Sequence, residues 1–520
     1  MSKVNLDALI PREDFGVEII NNASHSLGDK LKVSELIRGQ GFFYSSLRKP
    51  DFQRETSDWD PEKIASFIKS FIDGDLIPSI ILWQAGQYIF VIDGAHRLSA
   101  LISWVNDDYG DGFISQAFFN HTIDSEQKKI ADLTRKRVND TVGSYRKLMD
   151  AIQNPEKANA LDLRVAGKLG FIALQLQWVA GDSNKAESSF FTINQKATPI
   201  SETELELLKA RNKPHAMTAR AIVRSGLGHN YWKIFAEDIQ QQIQIMAKEI
   251  NEALFLPEMK IPIKTLDLPL AGKGYSSNSL GLIFDLVKIS NDFVLPKRKY
   301  GVQEVPDDKD GQNTLRFMRN TYKIIKRMTT NHPSSLGLHP AVYFYSEKGR
   351  YQPTAFLAWA DIFREYERNT DNFISFIRVR AVFEQFLVEN KHLTNQISGK
   401  YGSGLKGYKQ LRSFYIDVLG MIADGVLDSD LREGLKIKYS YLNFEYHGKF
   451  SLSSNFNSET KSEVFLVASL KTAQRCSICG GYVHMNSLSI DHIVRKQDGG
   501  LGRLDNGAIT HVFCNSTVKN

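Results

Sequence analysis

The stretch from Cys476 to Asn515, CSICGGYVHMNSLSIDHIVRKQDGGLGRLDNGAITHVFCN, holds every cysteine of the chain: Cys476, Cys479 and Cys514. Cys476 and Cys479 stand at C-x-x-C spacing, and His511 and Cys514 at H-x-x-C spacing. A tight turn brings positions i and i+3 together, so each pair can present both side chains to one ion. Three thiols and an imidazole form a ligand set suited to a closed tetrahedral zinc site. Between the pairs lies Ser489-Ile490-Asp491-His492-Ile493, an apolar-flanked, strand-like run carrying a carboxylate and an imidazole. A loop with Gly499, Gly500 and Gly502 follows, then Asn506, and Asn515 comes directly after the last cysteine.

Taken in that order, these residues resemble the HNH endonucleases, the ββα-metal class of nuclease. The resemblance implies a zinc knuckle (Cys476, Cys479, His511, Cys514) that clamps a short hairpin and a following helix. It implies that Asp491 binds a catalytic divalent ion, magnesium or manganese, and that His492 is the general base that activates a water. Asn506 would hold the loop and orient His492, and Asn515 would complete the catalytic metal site. The sequence departs from the family pattern in placing His511 where a cysteine is usual, a substitution that keeps a good zinc ligand.

The chemistry fits such a reading. A phosphodiester resists attack because it is anionic, and a hard cation on it neutralises developing charge. An imidazole near its ordinary pKa accepts a proton from water at neutral pH. The structural zinc is a second ion, replacing a hydrophobic core that about forty residues cannot build. The competing reading is a zinc ribbon that only binds or only folds.

With 520 residues, the chain is long enough for several domains. Its 42% hydrophobic and 24% charged content is that of a soluble globular protein. No apolar run reaches membrane-spanning length, and MSKVNLDALIPREDFG has no apolar core of a secretory signal. Three cysteines gathered in one knuckle argue against a disulfide framework and fit a reducing cytoplasm. A net charge of +6 permits nucleic-acid binding without requiring it.

Residues 48–104 form the second informative stretch. Asp60 and Pro61 read as the cap and first position of a helix. Ile64, Phe67, Ile68, Phe71 and Ile72 then recur at helical spacing up to Gly74. Ile80-Ile81-Leu82-Trp83 reads as a strand, Gly86-Gln87 as a turn and Tyr88–Ile92 as a second strand. Asp93-Gly94-Ala95-His96-Arg97 is then a strand-to-helix turn. Backbone N–H groups at a helix start favour anions, Gly94 allows close approach and Arg97 can grip a phosphate. The alternative is a core turn in which Asp93 caps the helix and Arg97 pairs with an acid; His96 reads equally as a phosphate ligand or a helix-start residue.

This arrangement resembles the ParB-like N-terminal domain of GmrSD-type, modification-dependent restriction proteins. Pro50, Phe52, Gln53, Arg54 and Trp59 match the upstream motif, and Phe190-Phe191-Thr192-Ile193-Asn194 with Pro199-Ile200-Ser201 match a later one, so the likeness spans roughly residues 30–210. It implies a domain that binds or hydrolyses a nucleoside triphosphate and senses modified DNA, its pocket lined by Gln53, Arg54, Asp93, Gly94, His96, Arg97 and Asn194. Ala95-His96 in place of Gln-Gln puts hydrolysis itself in question.

Lys128–Arg146 is basic and reads as a solvated helix face or a DNA-backbone contact. Val165–Val179 reads as core strand. From about 210 to 440 the apolar spacing is helical over Tyr231–Leu254, Asn278–Ile289, Thr314–Met328 and Ala355–Val388. Arg316, Arg319, Lys323 and the Lys326-Arg327 pair recur at three- or four-residue steps, a basic stripe. Leu435–Phe450 reads as strand, and Ser451–Ser462 as a linker. The expected architecture is therefore multidomain α+β: a ParB-like α/β domain (1–210), a mainly helical middle (211–462) and a small zinc-containing ββα-metal HNH domain (463–520). The expected activity is that of a cytoplasmic, metal-dependent DNA endonuclease of restriction or anti-phage type. Its partners would be DNA, modified or phage, and a nucleotide, with no membrane and with a second copy of itself if both strands are cut. The competing function is a DNA-binding regulator with a structural zinc knuckle and no cleavage.

Overall fold

In the computed structural model the residues described are 3–13, 28–50, 53, 56–197, 202–274, 279–292, 305–445 and 455–518. Arg54, Pro199-Ile200-Ser201 and Lys297-Arg298-Lys299-Tyr300 lie outside them, as does the side chain of Asn194. The chain divides into two compact units: Met1–Arg211 with Leu227–Tyr231 and Tyr275–Ser277, and the remainder from Asn212 onward.

The first unit is built on a mixed six-stranded sheet in the order β1-β3-β5-β4-β6-β2. The strands are β1 (Arg12–Glu13), β2 (Lys30–Leu31), β3 (Leu47–Pro50), β4 (Ile80–Ala85), β5 (Tyr88–Asp93) and β6 (Leu174–Trp178). β4 and β5 are an antiparallel hairpin, whereas β3 runs parallel to β5 and β6 parallel to β4. Their near-continuous apolar runs follow from burial on both faces. Ile80, Leu82 and Val91 point into the main core, and Trp83, Ala85, Phe90 and Ile92 into a second one. The helix Pro61–Asp73 packs on the first face, with the Asp60 side chain capping Lys63 N at 2.8 Å and Gly74 at φ +79° ending it. The helix Ser183–Ala197, carrying Phe190, closes the second face, where Trp83 Nε1 donates to Gly181 O at 2.9 Å.

The second unit is a helical assembly around aromatic residues. Trp359 is fully buried, with Tyr343, Phe376, Phe383 and Tyr415 against its ring. Into it packs a C-terminal hairpin, β7 (Leu488–His492) with β8 (Gly507–His511). No residue of β7 is buried, so the hairpin has almost no core of its own. Beside it lie the cysteine-histidine cluster and a contact surface on the helix Asp371–Glu389, where Tyr482 N donates to Glu384.

Several expectations change. Val165–Val179 is the end of a helix, Ala160–Leu169, followed by the single strand β6. Gly170 opens a four-residue gap, 170–173, that separates what reads in sequence as one apolar run. Ala355–Val388 is two helices, Pro353–Tyr366 and Asp371–Glu389, broken at the polar Arg368-Asn369-Thr370. Leu435–Phe450 is not strand where described: Asp428–Lys438 is helical, because Leu431 and Leu435 bury at i, i+4. The linker ends early, with Asn457 capping a helix that starts at Ser458. The element after β8 is a short helical turn, 512–518, whose last five residues form a wide π turn.

Candidate functional site

The ligand atoms of Cys476, Cys479, His511 and Cys514 all lie within 4.8 Å of one another. Cys476 opens a reverse turn in which Gly480 N donates to Cys476 O at 2.8 Å and Gly480 takes φ +69°. Gly481 N donates to Cys479 Sγ and His511 N to Cys476 Sγ, each at 3.4 Å. Backbone donors aimed at sulfur stabilise thiolate. Hydrogen bonds from Cys479 and Cys514 draw the Cys476 thiol far below its ordinary range. Cys479, bonded to Cys476, is pushed up to about 11, and Cys514 is driven higher. Three thiols and an imidazole held this close leave room for a divalent cation that would take the place of the thiol protons.

The imidazole is oriented for ligation. His511 Nε2 faces Tyr482 O at 2.9 Å, which fixes the proton there and leaves Nδ1 toward Cys479 Sγ at 3.3 Å. Burial, and next the Arg380 guanidinium, lower the His511 pKa, so the ring is neutral, the form that binds metal. The donor set therefore fits zinc, including at the position where histidine replaces the expected cysteine.

Behind the cluster sits a pair that the sequence reading missed. Arg380 and Glu384, one turn apart and both fully buried, bond at 2.7 Å. Arg380 also donates to the carbonyls of Leu336 and Gly337. Glu384 accepts from Tyr343 Oη at 2.8 Å and from the knuckle amide Tyr482 N. A Cβ on Gly481 would stand 2.5 Å from Arg380 Nε. The signal was present: both charges fall on the apolar face marked by Phe373, Phe376, Ile377, Phe383 and Leu387.

Asp491 and His492 end β7 opposite Ala508 and Gly507, and both are half-buried. Asn515 Nδ2 donates to Ser489 Oγ at 2.9 Å and approaches Ile490 O at 3.4 Å. Strand alternation puts Asp491 on the face of Ser489, the face that Asn515 reaches. Asn506 closes the intervening loop: its Oδ1 accepts from Val494 N at 2.7 Å, and its Nδ2 donates to Leu501 O at 2.8 Å and Val494 O at 3.2 Å.

In the first unit, Asp93 and Arg97 are an ion pair at 2.7 Å, and Arg97 also donates to Ser79 O at 3.1 Å. Gly94 takes φ +96°, and a Cβ there would lie 2.6 Å from Ile80 and 3.0 Å from Arg97. His96 stacks on Trp59, and its Nε2 accepts from Asp58 N at 3.4 Å, tying the helix start to the preceding segment. Gln53 Nε2 donates to Val91 O at 3.2 Å. Gln53 Oε1 and Arg97 Nε are buried and carry no hydrogen bond among the described residues. A second unforeseen network, Asp7 with Arg12 and Lys49, is almost entirely buried and holds Gln53 through Arg12 Nη2 to Gln53 O at 3.1 Å. Two cations of the basic run 128–146 are committed within the fold: Arg135 pairs with Asp107, Asp111 and Asp132, and Arg137 with Glu62.

The fold and site together define a chain with a mixed-sheet domain toward its N-terminus and, toward its C-terminus, a hairpin that carries Asp491 and His492 beside a cysteine-histidine cluster able to hold a metal ion. Residues 33–212 match the family model described as GmrSD restriction endonuclease, N-terminal domain. That match supports a GmrSD-type N-terminus and, with it, the restriction and defence nucleases, whose partner is DNA. Neither the curated proteins nor the solved structures contain a match to this chain. Among the described residues no helix is long and apolar enough to cross a membrane.

Proposed function

We propose that this protein is a metal-dependent DNA endonuclease of the restriction type, its cutting centre of the HNH kind and its N-terminal domain a reader of DNA modification or of a nucleotide. The observation that carries the reading is the seating of Asn515. It directly follows the ligand Cys514, and its side chain bonds β7 at Ser489, on the strand face that also bears Asp491. Asp491 and Asn515 would hold a magnesium or manganese ion, which when bound would neutralise charge building on the scissile phosphate. His492, half-exposed at the strand end, would take the proton from the attacking water. Asn506 keeps the loop after His492 closed, limiting how far that strand end can move.

In the N-terminal domain, Gln53 Oε1 and Arg97 Nε would meet a bound nucleotide or base. Because Asp93 already engages Arg97, binding fits this turn better than hydrolysis.

The test is cleavage of modified and unmodified plasmid DNA with magnesium or manganese, with and without nucleoside triphosphate. His492→Ala should lower the cutting rate by about 10²–10⁴-fold while leaving the zinc content unchanged. Equal cutting by that variant would remove His492 from the mechanism. DNA binding and zinc retention without cleavage by the native protein would instead favour a regulator.

A further inference from the structure

We infer that the helix Gln312–Met328 is the rail that holds the DNA backbone beside the cutting hairpin; this rests on the endonuclease reading above. The helix sequence, QNTLRFMRNTYKIIKRM, carries five cations and no acid. Its buried face is Leu315, Phe317, Met318, Ile324, Ile325 and Met328. Arg316, Arg319 and Lys323 are exposed along the other.

An ordinary solvated face interleaves signs, since i, i+4 pairs of opposite charge add a few tenths of a kcal/mol and like pairs cost as much. Here Arg316–Arg319, Arg319–Lys323 and Lys323–Arg327 are all like pairs. The macrodipole favours cations only in the last turn, so it does not account for Arg316 and Arg319 in the first half. Glu367 compensates Lys323 and Arg327. Glu249 and Glu252 on the adjacent helix Glu237–Phe255 act on Tyr322. No acid pairs with Arg316 or Arg319 among the described residues. A polyanion supplies what the fold does not. Arg316 to Lys323 spans about 10 Å of helix, the axial rise of about three base pairs.

The rail is tied to the hairpin by hydrogen bonds. Leu336 N donates to Arg327 O at 2.8 Å and Leu338 N to Met328 O at 2.7 Å, so the loop 330–338 continues directly from the helix. That loop seats the hairpin: Ser335 Oγ meets Ser487 Oγ at 3.0 Å, Phe513 N donates to Ser335 O at 3.2 Å and Ser516 Oγ to Pro333 O at 3.0 Å. The residue beyond Asn515 therefore rests on the loop in which the rail ends.

The experiment is the salt dependence of duplex DNA binding by the full chain without added divalent ion. The triple variant Arg316→Gln, Arg319→Gln, Lys323→Gln should lower the slope of log affinity against log salt by about 2–3, because each lost phosphate contact removes about 0.9. Its Kd should rise at least about ten-fold at 0.15 M salt. Glutamine keeps helix propensity, and an unchanged melting curve will establish folding. A control removes three exposed lysines elsewhere: Lys409→Gln, Lys436→Gln, Lys461→Gln. If native protein binds and cuts but the two triple variants share one slope, the rail is overturned and the nuclease reading stands. If native protein binds no duplex at all, both fall.

Discussion

Arg380 shows how one residue fixes the geometry of the candidate metal centre. Its guanidinium is fully buried, bonds Glu384 at 2.7 Å and reaches the carbonyls of Leu336 and Gly337, while standing 3.3 Å from His511 Nδ1. Removing one charge of a buried pair leaves the other uncompensated, which typically costs about 3–5 kcal/mol. Glu384→Gln also weakens the acceptor for Tyr482 N and Tyr343 Oη. It should therefore destabilise the second unit by about that amount in urea unfolding, whereas Arg380→Met with Glu384→Leu, which removes both charges, should cost less than Glu384→Gln alone. A double variant no milder than the single would mean that the pair is not what seats the knuckle. Neither residue stood out in the sequence as a site. An arginine and a glutamate one turn apart on a helix usually mark a solvent face; only their register with Phe376, Ile377 and Phe383 shows that these two point inward.

At the level of the element, the β4–β5 hairpin and the helix that follows it were legible almost to the residue. Asp60-Pro61, Gly74, Gly86 and Gly94 each mark a boundary by a local rule that needs no tertiary partner, and alternation along Ile80–Ile92 sorts side chains between two cores. The clustering of Cys476, Cys479, His511 and Cys514 was legible for the same reason, since their spacing is a turn geometry. What escaped was context. The apolar content of Val165–Val179 does not distinguish a helix end plus strand from strand alone, and the aromatic density after Leu435 concealed an i, i+4 pair. The partner of Arg97 is a further such choice, because a turn that can hold a phosphate can equally close on its own Asp93. Gly94 sets that closure: at φ +96°, with Ile80 2.6 Å and Arg97 3.0 Å from a Cβ, Gly94→Ala carries left-handed strain and displaces the guanidinium. It should destabilise the first unit by about 1–3 kcal/mol and weaken nucleotide or modified-DNA binding there, read by thermal melting and titration. A variant of native stability would show that the turn relaxes freely and that the glycine serves close approach of a ligand alone.

Across the whole molecule, the two compact units draw their stability from different sources. The first buries apolar side chains on both faces of a sheet. The second joins an aromatic helical core to a hairpin whose strand β7 buries nothing and which sits on the Arg380–Glu384 pair beside the cysteine-histidine cluster. A ligand that binds only the folded state adds stability to the unit that holds it and to nothing unlinked to it. Because Glu384 bonds Tyr482 N and Arg380 abuts His511, the metal should be felt in the helices as well as in the hairpin. Stripping zinc with a chelator should therefore lower the unfolding temperature of the second unit by several degrees and leave the first where it was. Scanning calorimetry on the full chain would read this as one transition moving against one fixed. Cys514→Ser should reproduce the shift without chelator, since it removes a buried ligand and leaves both sheet cores untouched. If both transitions move together, the units are thermodynamically one body. If neither moves, the cluster contributes no folding energy, and the hairpin must be held by direct contacts such as those to Pro333, Ser335 and Glu384.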